Sequence, residues 1–100
     1  MSITLTQEEK SSLVCLEGAI HISCAAELKA VLLKAIEHGI ETRVALGEVE
    51  DLDVTAVQLL WAAQREAKRS DAGFTLIGQP PQPVLDGLRD AGFESLQISQ

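Results

Sequence analysis

The residues best placed to do chemistry meet at one junction. Asp53, Val54, Thr55 and Ala56 stand where the acidic residues Glu48, Glu50 and Asp51 give way to the apolar stripe of a helix. An aspartate in front of a helix accepts backbone amide hydrogens from the first turn. A hydroxyl in that turn lies among free amides, at the positive end of the helix dipole. A phosphate added there is electrostatically tolerated by the helix terminus. Threonine is also a mediocre helix former, so its position here carries information. The residue pattern alone leaves Thr55 open between a site of modification and an ordinary first-turn residue. It leaves Asp53 open between a functional carboxylate and a simple cap.

Other chemistry is sparse. His21 and Cys24 are three residues apart, a spacing found in metal sites. Zinc needs three or four ligands, and Cys15 belongs to a different element, so no metal is expected. Cys15 and Cys24 read instead as small buried hydrophobes. The acidic residues before Thr55 lack the alternating ligands, glycine and terminal Glu of a calcium loop, and read as a solvated turn. There is no nucleophile-elbow motif, phosphate-cradling loop or dinucleotide glycine fingerprint. Neither a cofactor nor an enzymatic activity is expected. Trp61 is the remaining candidate. It falls roughly 100° from Leu60 by the helical period, at the edge of the apolar stripe. A half-exposed Trp is a good interface anchor; it can equally cover a sheet edge as ordinary core.

One hundred residues suit one domain, residues 1–100, able to bury its own core. Hydrophobic residues make up 46% and charged residues 23%, which excludes a disordered tail. Eight basic against fifteen acidic residues give a net charge of −7. Phosphate backbones and anionic membranes repel such a surface, so neither nucleic acid nor direct membrane insertion is expected. No run of apolar residues is long enough for a membrane span. The N-terminus lacks the basic and apolar regions of a signal peptide. Two cysteines are too few for a disulfide framework, which points to a reduced, cytoplasmic compartment.

The elements that position the junction follow from periodicity. Ile3 to Thr6 alternates apolar and polar, a strand with one wet face. Gln7 to Ser12 is a polar hairpin connection. Leu13 to Leu16 is apolar throughout and predicts a strand covered on both faces, broken at Gly18. Leu28, Val31, Leu32, Ala35 and Ile36 form one helical stripe, with Ser23 as N-cap and Gly39 as stop. Arg43 to Leu46 is a short buried strand, followed by the acidic turn. The second helix runs from about Val54 to Arg69 on Ala56, Leu59, Leu60, Ala63 and Ala67, and Asp71 to Gly73 ends it. Phe74 to Ile77 is a strand. Pro83 opens a third helix with Leu85 and Leu88 as its apolar positions, and Gly92 ends it, with Phe93 packing back. Leu96 to Ile98 is a weak final strand. The order β-β-α-β-α-β-α-β predicts an α/β fold: a small mixed sheet of four or five strands with helices packed against it.

These segments resemble the STAS domain, the fold of bacterial anti-sigma factor antagonists, also found at the C-termini of sulfate transporters. The resemblance covers nearly the whole chain. It is carried by Leu16 to Ile20, Leu28 to Ile36, Val49 to Asp53, Val54 to Leu60, Phe74 to Gly78 and Asp90 to Phe93. In the antagonists the strand-to-helix junction carries Asp, then Ser or Thr, then a phosphorylated Ser or Thr, then Gly. The resemblance implies that Asp53 matches the aspartate and Thr55 the phosphoacceptor. Val54 stands where the family often has a hydroxyl, Ala56 where it has Gly, and Val57 where it has Leu.

What the resemblance implies is a regulatory module in signal transduction and transcription regulation. Its partner would be a serine/threonine kinase of the anti-sigma factor type, bound through Asp53, Val54, Ala56, Val57, Gln58 and Trp61 and released when Thr55 is phosphorylated. The alternative is an unphosphorylated STAS adaptor of a lipid-transport ATPase or of a chemosensory or stress-signalling assembly. Either would work as a monomer or weak dimer.

Overall fold

The computed structural model describes residues 2–37, 41–92 and 98–99. Strands β1 (Ser2–Gln7) and β2 (Ser12–Ile20) are followed by a 3-10 turn, Ile22–Cys24, and helix α1 (Ala25–Glu37). Then come β3 (Glu41–Leu52), α2 (Val54–Arg69), β4 (Gly73–Ile77), α3 (Gln82–Asp90) and β5 (Ile98–Ser99). Among the described residues the strands form one sheet in the order β1-β2-β3-β4-β5. The β1–β2 hairpin is antiparallel and every other pairing is parallel. This is the mixed α/β fold that the alternation of periods predicts.

Burial follows strand parity except where β3 is bulged. Ser12, Val14, Leu16 and Ile20 of β2 face inward, as do Val44, Leu46, Val49 and Leu52 of β3. Onto them pack Leu28, Leu32, Ala35 and Ile36 of α1, Leu60 and Ala63 of α2, and Leu88 of α3, in one continuous core. The buried Ser12 hydroxyl is satisfied by donating to the Ala35 carbonyl at 3.3 Å. Leu13, Cys15, Ala45 and Ile77 point to the other face, lie outside that core and stay partly exposed. That face forms an open depression of about 830 Å³. β2 is therefore covered on one face, not two. An unbroken apolar run fits a strand whose outer positions are merely small or half-wet.

The sequence reading and the structure part in four further places. Gly18 does not end β2. It sits within the strand at φ 78, beside a bulge. Ser23 does not cap α1; the chain makes a 3-10 turn first, closed by the Cys24 amide donating to the His21 carbonyl at 2.8 Å. In α3 the buried positions are Val84 and Leu88, with Leu85 only partly covered. The largest correction concerns the acidic segment. Glu48, Glu50 and Asp51 belong to β3, which continues unturned to Leu52. Two register shifts against β2, at Cys15/Glu17 and at Gly18/Ala19, each add one residue to β3. Such bulges re-aim the side chains that follow. They bring Leu46, Val49 and Leu52 to the same face at spacings of three, which period-two reading mistakes for a turn. Gly39, Phe93, Leu96 and Gln97 lie outside the described residues.

Gly78 holds the end of β4 against β3. Its φ is +96, and a Cβ there would sit 2.7 Å from the Gly47 nitrogen. Only glycine meets both conditions without displacing backbone.

Leu60 is completely buried between the sheet and its neighbouring helices. Replacing it with alanine is expected to cost about 2–5 kcal/mol, from lost transfer free energy and the cavity left behind. Urea denaturation of Leu60→Ala beside wild type measures this; coincident midpoints would contradict the packing described.

Candidate functional site

β2 and β3 run parallel and finish together. Ile20 pairs with Leu52, and the Asp53 amide donates to the Ile20 carbonyl at 3.1 Å. Beyond this pair one strand leads into the 3-10 turn and the other into α2. In parallel α/β sheets the carboxyl ends of the strands are where ligands and partners are met, because loops and helix N-termini converge there.

Asp53 caps α2. Its backbone is extended (φ −79, ψ 173), and its Oδ1 accepts from the Ala56 amide at 3.0 Å. Its carbonyl accepts from the Val57 amide at 3.0 Å, the first bond of the helix ladder. Thr55 is the second helical residue and is half-buried, and its hydroxyl takes part in no hydrogen bond among the described residues. Val54 is 71% exposed and Trp61 37%. Val54, Gln58, Trp61 and Arg65 fall within about 60° of arc at the helical period of 3.6, so they form one outward stripe. Arg65 lies over the Trp61 ring, 4.9 Å from its centroid.

Ala56 and Val57 do not join that stripe. Their exposures are 2% and 6%. They fall on the core side of α2, so the side chains that α2 offers outward are Val54, Gln58 and Trp61, with Thr55 beside them. The small Ala56 matters through its amide, which Asp53 holds.

Sequence reasoning missed two neighbours. Ile22, 68% exposed, lies two residues past Ile20, as Val54 lies two past Leu52. Two large apolar side chains thus stand in solvent at one end of the sheet. The legible signal was an apolar residue just outside each of two strands that finish on paired apolar residues. The second neighbour is a side-chain hydrogen bond: His21 Nε2 lies 2.9 Å from Asp51 Oδ2, linking the end of β2 to the end of β3. Both side chains are largely exposed, so the link is weak. His21 and Cys24 are not brought together as ligands, because His21 is exposed and Cys24 is buried. Among the described residues no group of three His, Cys, Asp or Glu could hold a metal, and no helix is long and apolar enough to cross a membrane.

A mixed sheet with helices on one face, and a capped helix leaving its central strand, define the STAS architecture. The chain matches the family described as "Mlab, STAS domain" over residues 3–98 and belongs to it. Solved structures share the fold. The anti-sigma factor antagonist SpoIIAA in its unphosphorylated form superposes with a TM-score of 0.84 at 16% identity, over 99% of this chain and 88% of that one. SpoIIAA of Bacillus in the phosphorylated form gives 0.81 at 14% identity, over 99% and 91%. RsbS of Moorella thermoacetica carrying a serine-to-glutamate substitution gives 0.75 at 19% identity, over 99% and 85%. Comparison with curated protein sequences finds no match.

Loss of the cap is measurable apart from any binding. Asp53→Ala is expected to destabilise the chain by about 1 kcal/mol, whereas Asp53→Asn keeps the acceptor and most of the stability. Thermal melts of both variants separate the two outcomes, and equal melts for Asp53→Ala and wild type would remove the capping role.

Proposed function

We propose that this chain is a regulatory protein-binding module that docks a partner through the first turns of α2. Phosphorylation of Thr55 releases the partner, and no catalysis by the chain itself is involved. One observation carries this: Thr55, whose hydroxyl makes no hydrogen bond among the described residues, stands beside the outward stripe of Val54, Gln58 and Trp61. The likeness to SpoIIAA, an anti-sigma factor antagonist solved in phosphorylated and unphosphorylated forms, supports the same role. The partner on this account is a serine/threonine kinase of the anti-sigma factor type.

The physics of release is direct. A phosphate adds about two negative charges to one side chain. In a desolvated interface those charges lose their hydration, and the neighbouring carboxylates Asp51 and Asp53 repel them. Thr55→Glu imitates part of this charge, and Thr55→Ala cannot be modified. Thr55→Glu is expected to weaken partner binding at least about tenfold, or about 1.4 kcal/mol, with Thr55→Ala close to wild type. Calorimetric titration against the partner checks this, and equal affinities for the two variants would exclude the switch. Intact-mass spectrometry with peptide mapping, on protein from its own host, is expected to find phosphate on Thr55.

Val54 favours a second role. An apolar side chain 71% exposed gains from burial whether or not its neighbour is phosphorylated. That suits a constitutive adaptor of a lipid-transport ATPase or of a chemosensory or stress-signalling assembly. A match to the family described as "Mlab, STAS domain" is compatible with it. The roles separate cleanly. An unmodified mass in every growth condition, with at least about tenfold weaker binding by Trp61→Ala, supports the adaptor.

A further inference from the structure

On the flank of α2 away from Thr55, a groove of about 340 Å³ runs between α2 and α3, lined chiefly by Val54, Val57, Gln58, Gly87, Asp90 and Ala91. Two of these residues are poor choices for the fold alone. Gly87 lies inside α3, where glycine weakens a helix. Its backbone has no positive φ, and a Cβ there would meet nothing within 4 Å. Neither strain nor crowding calls for glycine; its effect is to leave the groove deep. Asp90 is the last residue of α3, at the negative end of the helix dipole, where a carboxylate is disfavoured. Among the described residues it has no ion-pair partner, while Asp86 one turn earlier has Arg89. The site therefore offers an apolar slot with a carboxylate at its rim that has no ion-pair partner among the described residues, continuous through Val54 and Gln58 with the outward stripe of α2.

We infer that this groove receives an apolar side chain from an amphipathic segment of the docked protein, and that a lysine or arginine next to it pairs with Asp90. The inference rests on the docking role proposed above and extends the contact surface to α3. The occupant is thus an apolar–basic segment, straddling the start of α2 from the α3 side.

The test uses the full chain, labelled with nitrogen-15, and a defined probe: an amphipathic peptide of leucine and lysine, about four helical turns long. The same peptide with glutamate in place of lysine is the control. The leucine–lysine peptide is expected to shift amide signals of Val54, Gln58, Gly87 and Ala91 saturably, and the leucine–glutamate peptide to leave them in place. Gly87→Leu fills the slot and is expected to weaken binding at least about tenfold, whereas Gly87→Ala stays within about twofold. Asp90→Asn is expected to weaken it about threefold, by removing the charge partner. Thermal melting of Gly87→Leu no lower than wild type shows that the loss is not unfolding, and Asp90→Asn stands in if that variant melts early. Shifts spread over other faces, or unchanged affinity in Gly87→Leu and Asp90→Asn, would overturn the inference. So would concentration-dependent self-association abolished by Gly87→Leu, which assigns the groove to a second copy. The two proposals fail separately. A groove that does not bind leaves the Thr55 substitutions to decide the switch, and a switch that fails leaves the peptide result standing.

Discussion

The parallel pairing of β2 with β3 is the contact on which the rest of the molecule depends. Parallel neighbours cannot be joined by a tight turn, so the chain must cross over the sheet between them. α1 makes that crossing, and in doing so covers the inward residues of both strands. The pairing ends on Ile20 and Leu52, locked by the Asp53 amide on the Ile20 carbonyl. From that point the start of α2 is set: Asp53, the residue after Leu52, caps the helix, and Val54 begins its first turn in solvent. β4 then adds to the other edge of β3, and α2 is held between α1 and α3.

The two bulges give this arrangement its electrostatic character. Extra residues in β3 allow Leu46, Val49 and Leu52 to stay in the core while Glu48, Glu50 and Asp51 remain in water. A regular strand of that sequence would have turned either a carboxylate inward or a leucine outward. A buried carboxylate without a partner is expensive, so the bulge is the cheaper solution. The result is a carboxylate-rich strand end beside two exposed apolar side chains, Ile22 and Val54. On the role proposed above, apolar contact provides affinity for the partner, and the carboxylates repel the charge that phosphorylation adds.

The STAS fold persists here at below a fifth of sequence identity with SpoIIAA and RsbS. That persistence is physical. The fold asks for apolar residues at particular parities and helical spacings, a cap at Asp53, and glycine where Gly78 meets Gly47. Positions outside those constraints tolerate other residues. Val54 and Ala56 at the start of α2 are two such positions, one exposed and the other buried. One adds an apolar side chain to the exterior; the other supplies the amide that the cap needs without filling space.

Local sequence specifies the order of elements, the core stripes of α1 and α2, the bounds of α2 and the cap at Asp53. These depend on local periodicity and on hydrogen bonds within one turn, which neighbouring residues decide among themselves. The tertiary structure alone decided that the sheet is covered on one face, that the acidic segment is strand, and that Val57 turns inward while Ile22 turns out. Those outcomes depend on register between strands distant in sequence and on which helix lies over which strand. The groove at Gly87 belongs to the same class. It exists only because α3 returns beside the start of α2, and no spacing within either helix encodes that meeting.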